Sequence, residues 1–133
     1  MLVVDASVLV VALGDDGKDG DSARARLRGE LLAAPELIDV EVVSVLRGRL
    51  RDGALDPRRA ALALADLIDL PIQRARHVTL VSRCWELRNN VTPYDAAYVA
   101  LAEALDCTLL TSDSRLAAAP GPRCVIEVLR PER

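Results

Sequence analysis

Two acidic residues of the chain follow apolar runs that are short enough to be buried strands. Asp5 comes directly after Leu2–Val4. Asp113 comes three residues after the end of a second run, Thr108–Leu110. Runs of this kind are typical of parallel strands that are covered on both faces. Because ligands of such sheets bind beyond the carboxyl ends of the strands, both carboxylates are candidates for a site at that edge.

Two further acids lie on the predicted core-facing sides of helices. A helix is predicted over residues 36–51, and in it Glu41 has as helical neighbours Leu37, Ile38, Ser44 and Val45. A second helix is predicted over residues 92–105, and in it Asp95 has as helical neighbours Tyr98 and Val99. A carboxylate on an apolar face is costly unless it is paired or bound to a metal.

Each of the four acids also has a purely structural explanation. Asp5 and Asp113 could be N-caps of the helices that follow them. Asp95 fits a capping box, in which Thr92 is the cap and Asp95 is the third helical residue. Glu41 could lie at the edge of its helix with the carboxylate in water. These alternatives stay open for each acid taken alone.

The four acids together point to one chemistry. In a sheet with helices on both faces, ends of strands and starts of helices can converge on one pocket at the carboxyl edge. Carboxylates that are close together repel one another unless cations lie between them. An all-oxygen ligand set suits Mg²⁺ or Mn²⁺. The reaction that such a site best supports is metal-assisted hydrolysis of a phosphodiester bond.

Other catalytic arrangements lack their residues. The single histidine, His77, excludes a two-histidine nuclease, and the sequence contains neither a phosphate-binding GxxxxGK[ST] loop nor GxGxxG. A haloacid-dehalogenase-type phosphatase needs Asp-x-Asp after its first strand, whereas Asp5 is followed by Ala and Ser7. A receiver domain needs a lysine late in the chain, and the only lysine is Lys18.

The elements that would position these acids form an alternating pattern. Strands are predicted at residues 2–4, 31–34, 72–74, 108–110 and 124–128. Helices are predicted at residues 6–13, 21–28, 36–51, 56–70, 78–89, 92–105 and 114–119. Residues 14–20 are expected to be a flexible loop, with Asp21 or Ser22 capping the next helix. The pattern predicts an α/β fold with a parallel sheet between helices.

Length and composition fit one compact domain. The chain has 133 residues, of which 51% are hydrophobic, and neither a repeat nor a linker divides residues 1–133. Trp85, Tyr94 and Tyr98 are its only aromatic residues, so an aromatic platform for stacked bases is not expected. The formal charge of −3 argues against binding nucleic acid, unless divalent metal offsets some of the acids.

Cysteines and the N-terminal segment indicate an intracellular location. The three cysteines lack CxxC spacing and suit a reducing cytosol. The apolar N-terminal run is interrupted by Asp5 and lacks a preceding basic region, so it predicts a strand and helix rather than a signal peptide or membrane anchor.

Four segments, each containing one of the acids, resemble the motifs of a known family. They are VVDASVLV, IDVEVVSVLR, TPYDAAYVALAEAL and LLTSD, in this order along the chain. In order, spacing and overall length the chain resembles PIN-domain ribonucleases, and among these the VapC toxins of bacterial VapBC (type II) toxin–antitoxin modules. The resemblance covers essentially the whole chain. It implies a PIN-like three-layer α/β/α sandwich with a five-stranded parallel sheet.

The resemblance also implies Mg²⁺- or Mn²⁺-dependent endoribonuclease activity in the cytoplasm. Asp5 and Asp95 would then be direct metal ligands. Glu41 and Asp113 would complete the site through water, position the nucleophile or hold a second ion. No acid of the four motifs is missing.

Two hydroxyl residues match polar positions beside the acids. Ser7 and Thr111 would hydrogen-bond and orient the carboxylates, although Ser7 fits equally well as a first-turn helix residue. Candidates for contacts with RNA are the arginines at 47, 49 and 51 or at 74 and 76, for which a solvated helix face is the alternative.

The implied partners are an RNA substrate, a cognate VapB-type antitoxin and a second copy of the chain. Antitoxin inhibition, a homodimer and a toxin–antitoxin hetero-oligomer are expected, and no membrane. The apolar segments 60–70 and 78–87 are candidates for the dimer interface, although packing in the core would explain them too. The alternative function is a catalytically inert PIN-like module that binds RNA or protein and uses its acids only as caps.

Overall fold

A five-stranded parallel sheet forms the centre of the computed structural model, which describes residues 1–131. The strands are β1 (Leu2–Val4), β2 (Leu32–Pro35), β3 (Gln73–Ala75), β4 (Thr108–Thr111) and β5 (Ile126–Val128). Their order across the sheet is β3-β2-β1-β4-β5, and every neighbouring pair is parallel. The predicted architecture is confirmed. Along the chain, β2 and β3 are added on one side of β1, and β4 and β5 are then added on its other side.

Seven α-helices of the described chain cover the two faces of the sheet. They are α1 (Ala6–Gly14), α2 (Lys18–Leu27), α3 (Ile38–Arg51), α4 (Pro57–Asp69), α5 (Val81–Glu86), α6 (Pro93–Leu105) and α7 (Ser114–Ala118). Helices α1–α4 connect strands added in one direction, and α5–α7 connect strands added in the other. Right-handed crossovers therefore place the two groups on opposite faces. In agreement, α1 packs on α2, α3 and α4, while α6 packs on α5 and across β1, β2 and β4.

The first strand is at the centre because every one of its residues is apolar and buried. Leu2 pairs with Leu32 on one side and with Thr108 on the other. Beyond the strand, the backbone N–H of Asp5 donates to the carbonyl of Leu110 at 2.9 Å. This bond extends the pairing by one residue and fixes Asp5 at the carboxyl edge of the sheet.

The core is aliphatic, as the composition predicts. Tyr98 is the one fully buried aromatic residue among those described, whereas Trp85 and Tyr94 are exposed. The three cysteines are free and half-buried. The described residues include no helix that is both long and apolar enough to cross a membrane. The last two residues of the predicted domain 1–133, Glu132 and Arg133, lie outside the described part.

The prediction of a flexible loop at residues 14–20 is wrong. Helix α2 already begins at Lys18, and its N-cap position is taken by Gly17 rather than by Asp21 or Ser22. The glycines of this segment suggested mobility, but they permit a tight turn between α1 and α2.

Arg24 and Asp15 hold that turn together. The backbone N–H of Gly17 donates to Oδ1 of Asp15, and the Arg24 guanidinium donates to the carbonyls of Ala12 and Asp15 at 2.9 and 2.8 Å. A Cβ at Gly20 would overlap the carbonyl oxygen of Asp15, so only glycine fits there. The close packing of α2 on α1 therefore depends on a missing side chain.

The helix predicted over residues 78–89 is shorter and divided. Val78–Leu80 forms a 3₁₀ turn, in which the Leu80 N–H donates to the His77 carbonyl at 2.8 Å, and α5 follows from Val81 to Glu86. The remaining boundaries differ from prediction by one or two residues at most ends. The divided helix leaves residues 88–92 as a connection that leads to the start of α6.

Candidate active site

The site is built where β1 and β4 end side by side. Asp5 follows β1 and is only 7% exposed. Its Oδ2 accepts hydrogen bonds from the hydroxyls of Thr111, at 2.7 Å, and of Ser7, at 3.0 Å. Asp5 occupies the N-cap position of α1, but its side chain makes no capping hydrogen bond. The structural alternative of a helix cap therefore does not explain Asp5.

Ser7 and Thr111 also tie the loop after β4 to the same point. The Thr111 hydroxyl accepts from the backbone N–H of Asp113 at 3.1 Å, and the Ser7 hydroxyl accepts from the backbone N–H of Ser112 at 3.1 Å. Each hydroxyl thus donates to Asp5 and accepts from the loop. A methyl group at either position could do neither, which explains why polar residues stand at this edge.

Asp113 does act as a helix cap. Its Oδ1 accepts from the backbone N–H of Arg115 at 2.9 Å and from Nε of the same residue at 3.4 Å. The cap and the position beside Asp5 are compatible, because α7 begins at the carboxyl edge of the sheet. The side chain of Arg115 is 92% exposed, so its contact with Asp113 is a weak surface pair.

Glu41 lies in the first turn of α3 and is half-buried. Its Oε1 accepts a hydrogen bond from the hydroxyl of Tyr98 at 3.0 Å. The apolar stripe predicted around Glu41 is only partly correct, since Ile38 is buried but Val45 is exposed. Glu41 therefore lies at the edge of the buried stripe, and Tyr98 rather than bulk water provides its partner.

Asp95 is the third residue of the capping arrangement that the sequence predicts. Its backbone N–H donates to the hydroxyl of Thr92 at 3.2 Å. The half-buried carboxylate of Asp95 also interacts with the Thr92 side chain, and this hydrogen bond lowers its pKa. The capping arrangement therefore explains where α6 begins, while the charges of Asp5 and Asp113 act on the same carboxylate.

The charges of these acids act on one another. Burial raises the pKa of Glu41 above its usual range, and the charges of Asp5 and Asp95 raise it further, against the hydrogen bond from Tyr98 that lowers it. Burial likewise raises the pKa of Asp95, as do the charges of Asp5 and Asp113. Burial also raises the pKa of Tyr98, to which the charges of Glu41 and Asp5 add. The four predicted acids share one electrostatic environment.

The three central acids lack salt bridges in the described chain, although the charge of Arg115 lowers the pKa of Asp95. Within residues 1–131, neither Asp5 nor Glu41 nor Asp95 forms a salt bridge. Each acid is at or near the start of a helix, where the helix dipole favours negative charge, but a dipole offsets only part of a full charge. The site is therefore suited to bind a cation.

The donor chemistry fits a hard divalent ion, while the side-chain positions do not form a closed ligand set. All the candidate donors are oxygens, and the side-chain hydrogen bonds that Asp5 accepts in the described chain fall on Oδ2 alone. Among residues 1–131, however, no three His, Cys, Asp or Glu side chains are arranged so that they could hold one ion together.

Tyr98 has a role in the site that the sequence did not reveal, and Arg74 lacks the role that the sequence suggested. Tyr98 was recognised only as a helical neighbour of Asp95, although a buried phenol needs a hydrogen-bond partner and could have been paired with an acid. Arg74, one of the candidate RNA contacts, is committed to Asp39 at 2.8 Å and to the Leu67 carbonyl at 3.0 Å. It is not available to bind a phosphate.

Comparison with known proteins agrees with this fold. Residues 2–122 match the family model described as the PIN domain. The chain is 45% identical over 129 residues to Ribonuclease VapC1 of Mycobacterium tuberculosis, which covers 96% of this chain and 97% of that protein.

Two solved structures share the fold. Mycobacterium tuberculosis VapC20, described as a sarcin-ricin loop cleaving toxin, superposes with a TM-score of 0.70 at 15% identity, over 89% of this chain and 94% of that one. VapBC2 from Rickettsia felis, bound to a DNA fragment from its promoter, gives a TM-score of 0.65 at 14% identity, over 96% and 97% of the two chains. The chain belongs to the PIN-domain family, and within it to the VapC ribonucleases.

Proposed function

We propose that this protein is a metal-dependent endoribonuclease, the toxin of a type II toxin–antitoxin module, that hydrolyses RNA phosphodiester bonds. The observation that carries the proposal is the group of three acids without salt bridges, Asp5, Glu41 and Asp95, whose charges act on one another at the carboxyl edge of the sheet. The family to which the chain belongs supports the choice of RNA as substrate.

Asp5 and Asp95 would hold the metal directly, and Glu41 and Asp113 would hold water or a second ion. Bound Mg²⁺ or Mn²⁺ supplies an activated water and neutralises charge on the phosphate. The protein's own contribution is positioning. Thr111 fixes the Asp5 carboxylate by its 2.7 Å hydrogen bond to Oδ2, which leaves Oδ1 as the oxygen proposed to bind the metal.

Glu41 and Asp113 are positioned by other means. Tyr98 holds one oxygen of Glu41, which keeps this carboxylate near Asp95 despite their repulsion. Asp113 is oriented by the start of α7 through the Arg115 N–H. Both carboxylates are therefore placed to orient a water molecule beside the reacting phosphate.

A cognate VapB-type antitoxin is the proposed inhibitor in the cytoplasm. The Rickettsia felis VapBC2 structure, of the same fold, contains both proteins of its module and supports a toxin–antitoxin complex. An unneutralised acidic site would attract a basic segment of such a partner. Binding across the site would block the RNA.

A homodimer within a larger hetero-oligomer is also proposed. Exposed apolar side chains lie on α4 and along residues 78–85, and they are Leu62, Ile68, Val78, Val81 and Trp85. The two segments are those that the sequence offers as interface material. Their exposure in the single chain supports an interface, because side chains that pack in the core would have been buried.

Cleavage of total cellular RNA by purified, antitoxin-free protein tests the function. Reactions with Mg²⁺, with Mn²⁺ and with EDTA are compared for the wild type, Asp5→Asn and Asp95→Asn. The matched control is Asp66→Asn, which removes one exposed carboxylate of α4 away from the site. We expect discrete fragments with either metal for the wild type and the control, and none for the two site variants.

Two results would contradict the proposal. Equal cleavage by the site variants would assign the activity to other residues or to a contaminant. If no protein cuts under any condition, and metal fails to raise the melting temperature of the wild type, the chain is an inert PIN-like binding module. Metal-dependent stabilisation that Asp5→Asn abolishes would instead retain the site and indicate a narrow substrate.

A further inference from the structure

A cleft beside the acids has the size and the polar lining of a binding site. It is about 540 Å³ in volume and lies between the connection that follows α5 and the short helix α7. Asp95 and Asp113 form one of its walls, so the cleft opens directly onto the candidate active site. Volumes of this size are ordinary for sites that hold small molecules or part of a polymer.

Two arginines line the cleft, and both have donors to spare. Arg88 forms no salt bridge within residues 1–131. Arg115, on the side of α7, is 92% exposed and makes a 3.4 Å contact with Asp113, and its charge also acts on Asp95. Most other arginines that contact acids are engaged at 2.6–3.1 Å, as Arg26 is with Glu127 and Arg83 with Glu103.

Arg88 is held in place by a neighbour rather than by an acid. Its Nη1 donates to the carbonyl of Trp85 at 2.9 Å, and its guanidinium carbon lies 4.3 Å from the centre of the Trp85 ring. Stacking on an aromatic ring orients a guanidinium without neutralising it. The exposed Trp85 therefore orients Arg88. It need not serve as a platform for stacked bases, a function that the composition argues against.

Asparagines complete the lining between the two arginines. Asn89 and Asn90 are exposed, and in the described chain their side chains make no hydrogen bond with other residues. Each amide offers donors and an acceptor, which suits the edges of unpaired bases. The cleft thus combines cationic groups for phosphates with amides for bases, next to carboxylates that would cut the strand.

We propose that this cleft binds the unpaired RNA strand adjoining the cleaved bond, with Arg88 and Arg115 contacting its phosphates. The proposal rests on the proposed ribonuclease function and deepens it by naming the substrate-binding residues. Beyond the two carboxylates, the lining carries guanidinium groups that suit phosphates and amides that suit bases, a combination that favours RNA over a basic segment of a protein partner. The free amides of Asn89 and Asn90 suit a single strand, whose base edges are accessible, better than a duplex.

The test measures RNA binding apart from cleavage. All proteins carry Asp5→Asn, which keeps the RNA intact, and to this background Arg88→Gln, Arg115→Gln or both are added. The probe is a fluorescently labelled, unstructured RNA of about 10 nucleotides, followed by anisotropy over a range of salt concentrations. Arg58→Gln, an exposed arginine of α4 that forms no salt bridge among residues 1–131, is the control of equal charge change.

We expect each cleft variant to weaken binding about three- to tenfold and to reduce the salt slope by about 0.7, as the loss of one phosphate contact on a single strand predicts. Arg58→Gln should change neither quantity. An RNA duplex of the same length should bind more weakly than the single strand. A purely structural role of Arg88 or Arg115 would not alter the salt slope.

Several outcomes would overturn the proposal that the cleft binds RNA. These are equal effects of Arg58→Gln and the cleft variants, unchanged binding in the double variant, no binding of the single strand, or equal binding of the duplex. Retained RNA binding together with lost antitoxin binding would assign the cleft to the protein partner. Failure of the ribonuclease itself is distinguished by the cleavage assay, since the salt slope is measured on proteins that do not cut.

Discussion

The two ends of helix α6 carry acidic residues in opposite electrostatic situations. At the first turn, Asp95 has no salt bridge within residues 1–131, and burial and the charge of Asp5 raise its pKa. Near the other end, Glu103 accepts hydrogen bonds from Arg83 at 2.7 and 3.1 Å and from the backbone N–H of Arg123 at 2.7 Å. Burial raises the pKa of Glu103, but these partners outweigh burial and hold it below its usual range.

The helix itself would produce the reverse pattern. Its dipole favours negative charge at the first turn and disfavours it at the last. The pKa shifts are therefore set by burial and neighbouring charges at Asp95 and by the basic partners at Glu103, and not by the helix. One end of α6 carries an acid whose salt bridge stabilises the fold. The other end carries an acid without a salt bridge in the described chain, which costs stability and suits the proposed binding of a cation.

The largest expected difference between the two ends is catalytic. Asp95→Asn should lower the rate of RNA cleavage by about 100-fold or more, equivalent to about 2.7 kcal/mol, because it removes a charge from the proposed metal site. Glu103→Gln should leave the rate per folded molecule unchanged. Rates measured with saturating Mg²⁺ decide this, and a comparable loss in both variants would contradict the distinction.

The second largest effect is expected on the stability of the fold, at the end of α6 where Glu103 is paired with Arg83. Arg83 is 19% and Glu103 15% exposed, so Arg83→Ala leaves a largely buried carboxylate without its cation. We expect a loss of about 2–3 kcal/mol in the free energy of unfolding, measured by urea denaturation. Arg58→Ala, at an exposed site, is the control. A loss as small as that of the control would show that Glu103 does not depend on Arg83.

A smaller effect is expected where the site and the core meet. Tyr98→Phe keeps the buried ring but removes the 3.0 Å hydrogen bond to Glu41. The loss of this bond should cost about 1 kcal/mol and raise the pKa of Glu41 further, because the bond stabilises the ionised form. Denaturation at neutral pH measures the loss of stability, and titration followed by NMR measures the pKa of Glu41. An unchanged pKa would contradict the role given to Tyr98.

The smallest effect has the opposite sign. In metal-free protein, Asp95→Asn should stabilise the fold at neutral pH by roughly 0.5 kcal/mol, since it removes a partly screened repulsion. The folded pKa of Asp95 is raised, so this repulsion develops as pH rises from the unfolded pKa through the folded one, and the gain should vanish in acid. For Glu103 the folded pKa is lowered, so its stabilisation is present above the unfolded pKa and is lost as pH falls through the folded one.

Stability measured against pH for the wild type and both variants tests these opposite signs. Addition of Mg²⁺ should abolish the gain from Asp95→Asn, because a bound cation offsets the repulsion that the variant removes. A destabilising Asp95→Asn in metal-free protein at neutral pH would show that the carboxylate is compensated within the fold.

Local sequence signals predicted the backbone of the site well. The apolar run before Asp5 and the Thr92–Pro93 start of α6 are signals confined to a few residues, and the structure contains both elements. The acids' catalytic and metal-binding roles stay predictions. What could not be predicted depends on residues distant in sequence, such as Tyr98, which reaches Glu41 on a different helix.

The segment between α1 and α2 shows the same limit. Glycines at 14, 17 and 20 are typical of a flexible loop, and no local pattern reveals that Arg24 bonds back to two carbonyls of the preceding turn. The arginine in α2 converts a flexible sequence into a tight turn. In the same way, the predicted RNA contact Arg74 is lost to Asp39, a partner from another element.

The central position of β1 determines when the site can form during synthesis. β1 contains residues 2–4 and β4 contains residues 108–111, and the hydrogen bonds of Asp5 to Leu110 and Thr111 join the two. Pairing over such a sequence separation is slow and cannot begin before the later strand has been made. A growing chain therefore has no complete acidic site until at least 113 of its 133 residues exist, because Asp113 is the last of the four acids. For a proposed ribonuclease, this order of folding means that cleavage by the nascent chain cannot begin before that point of synthesis.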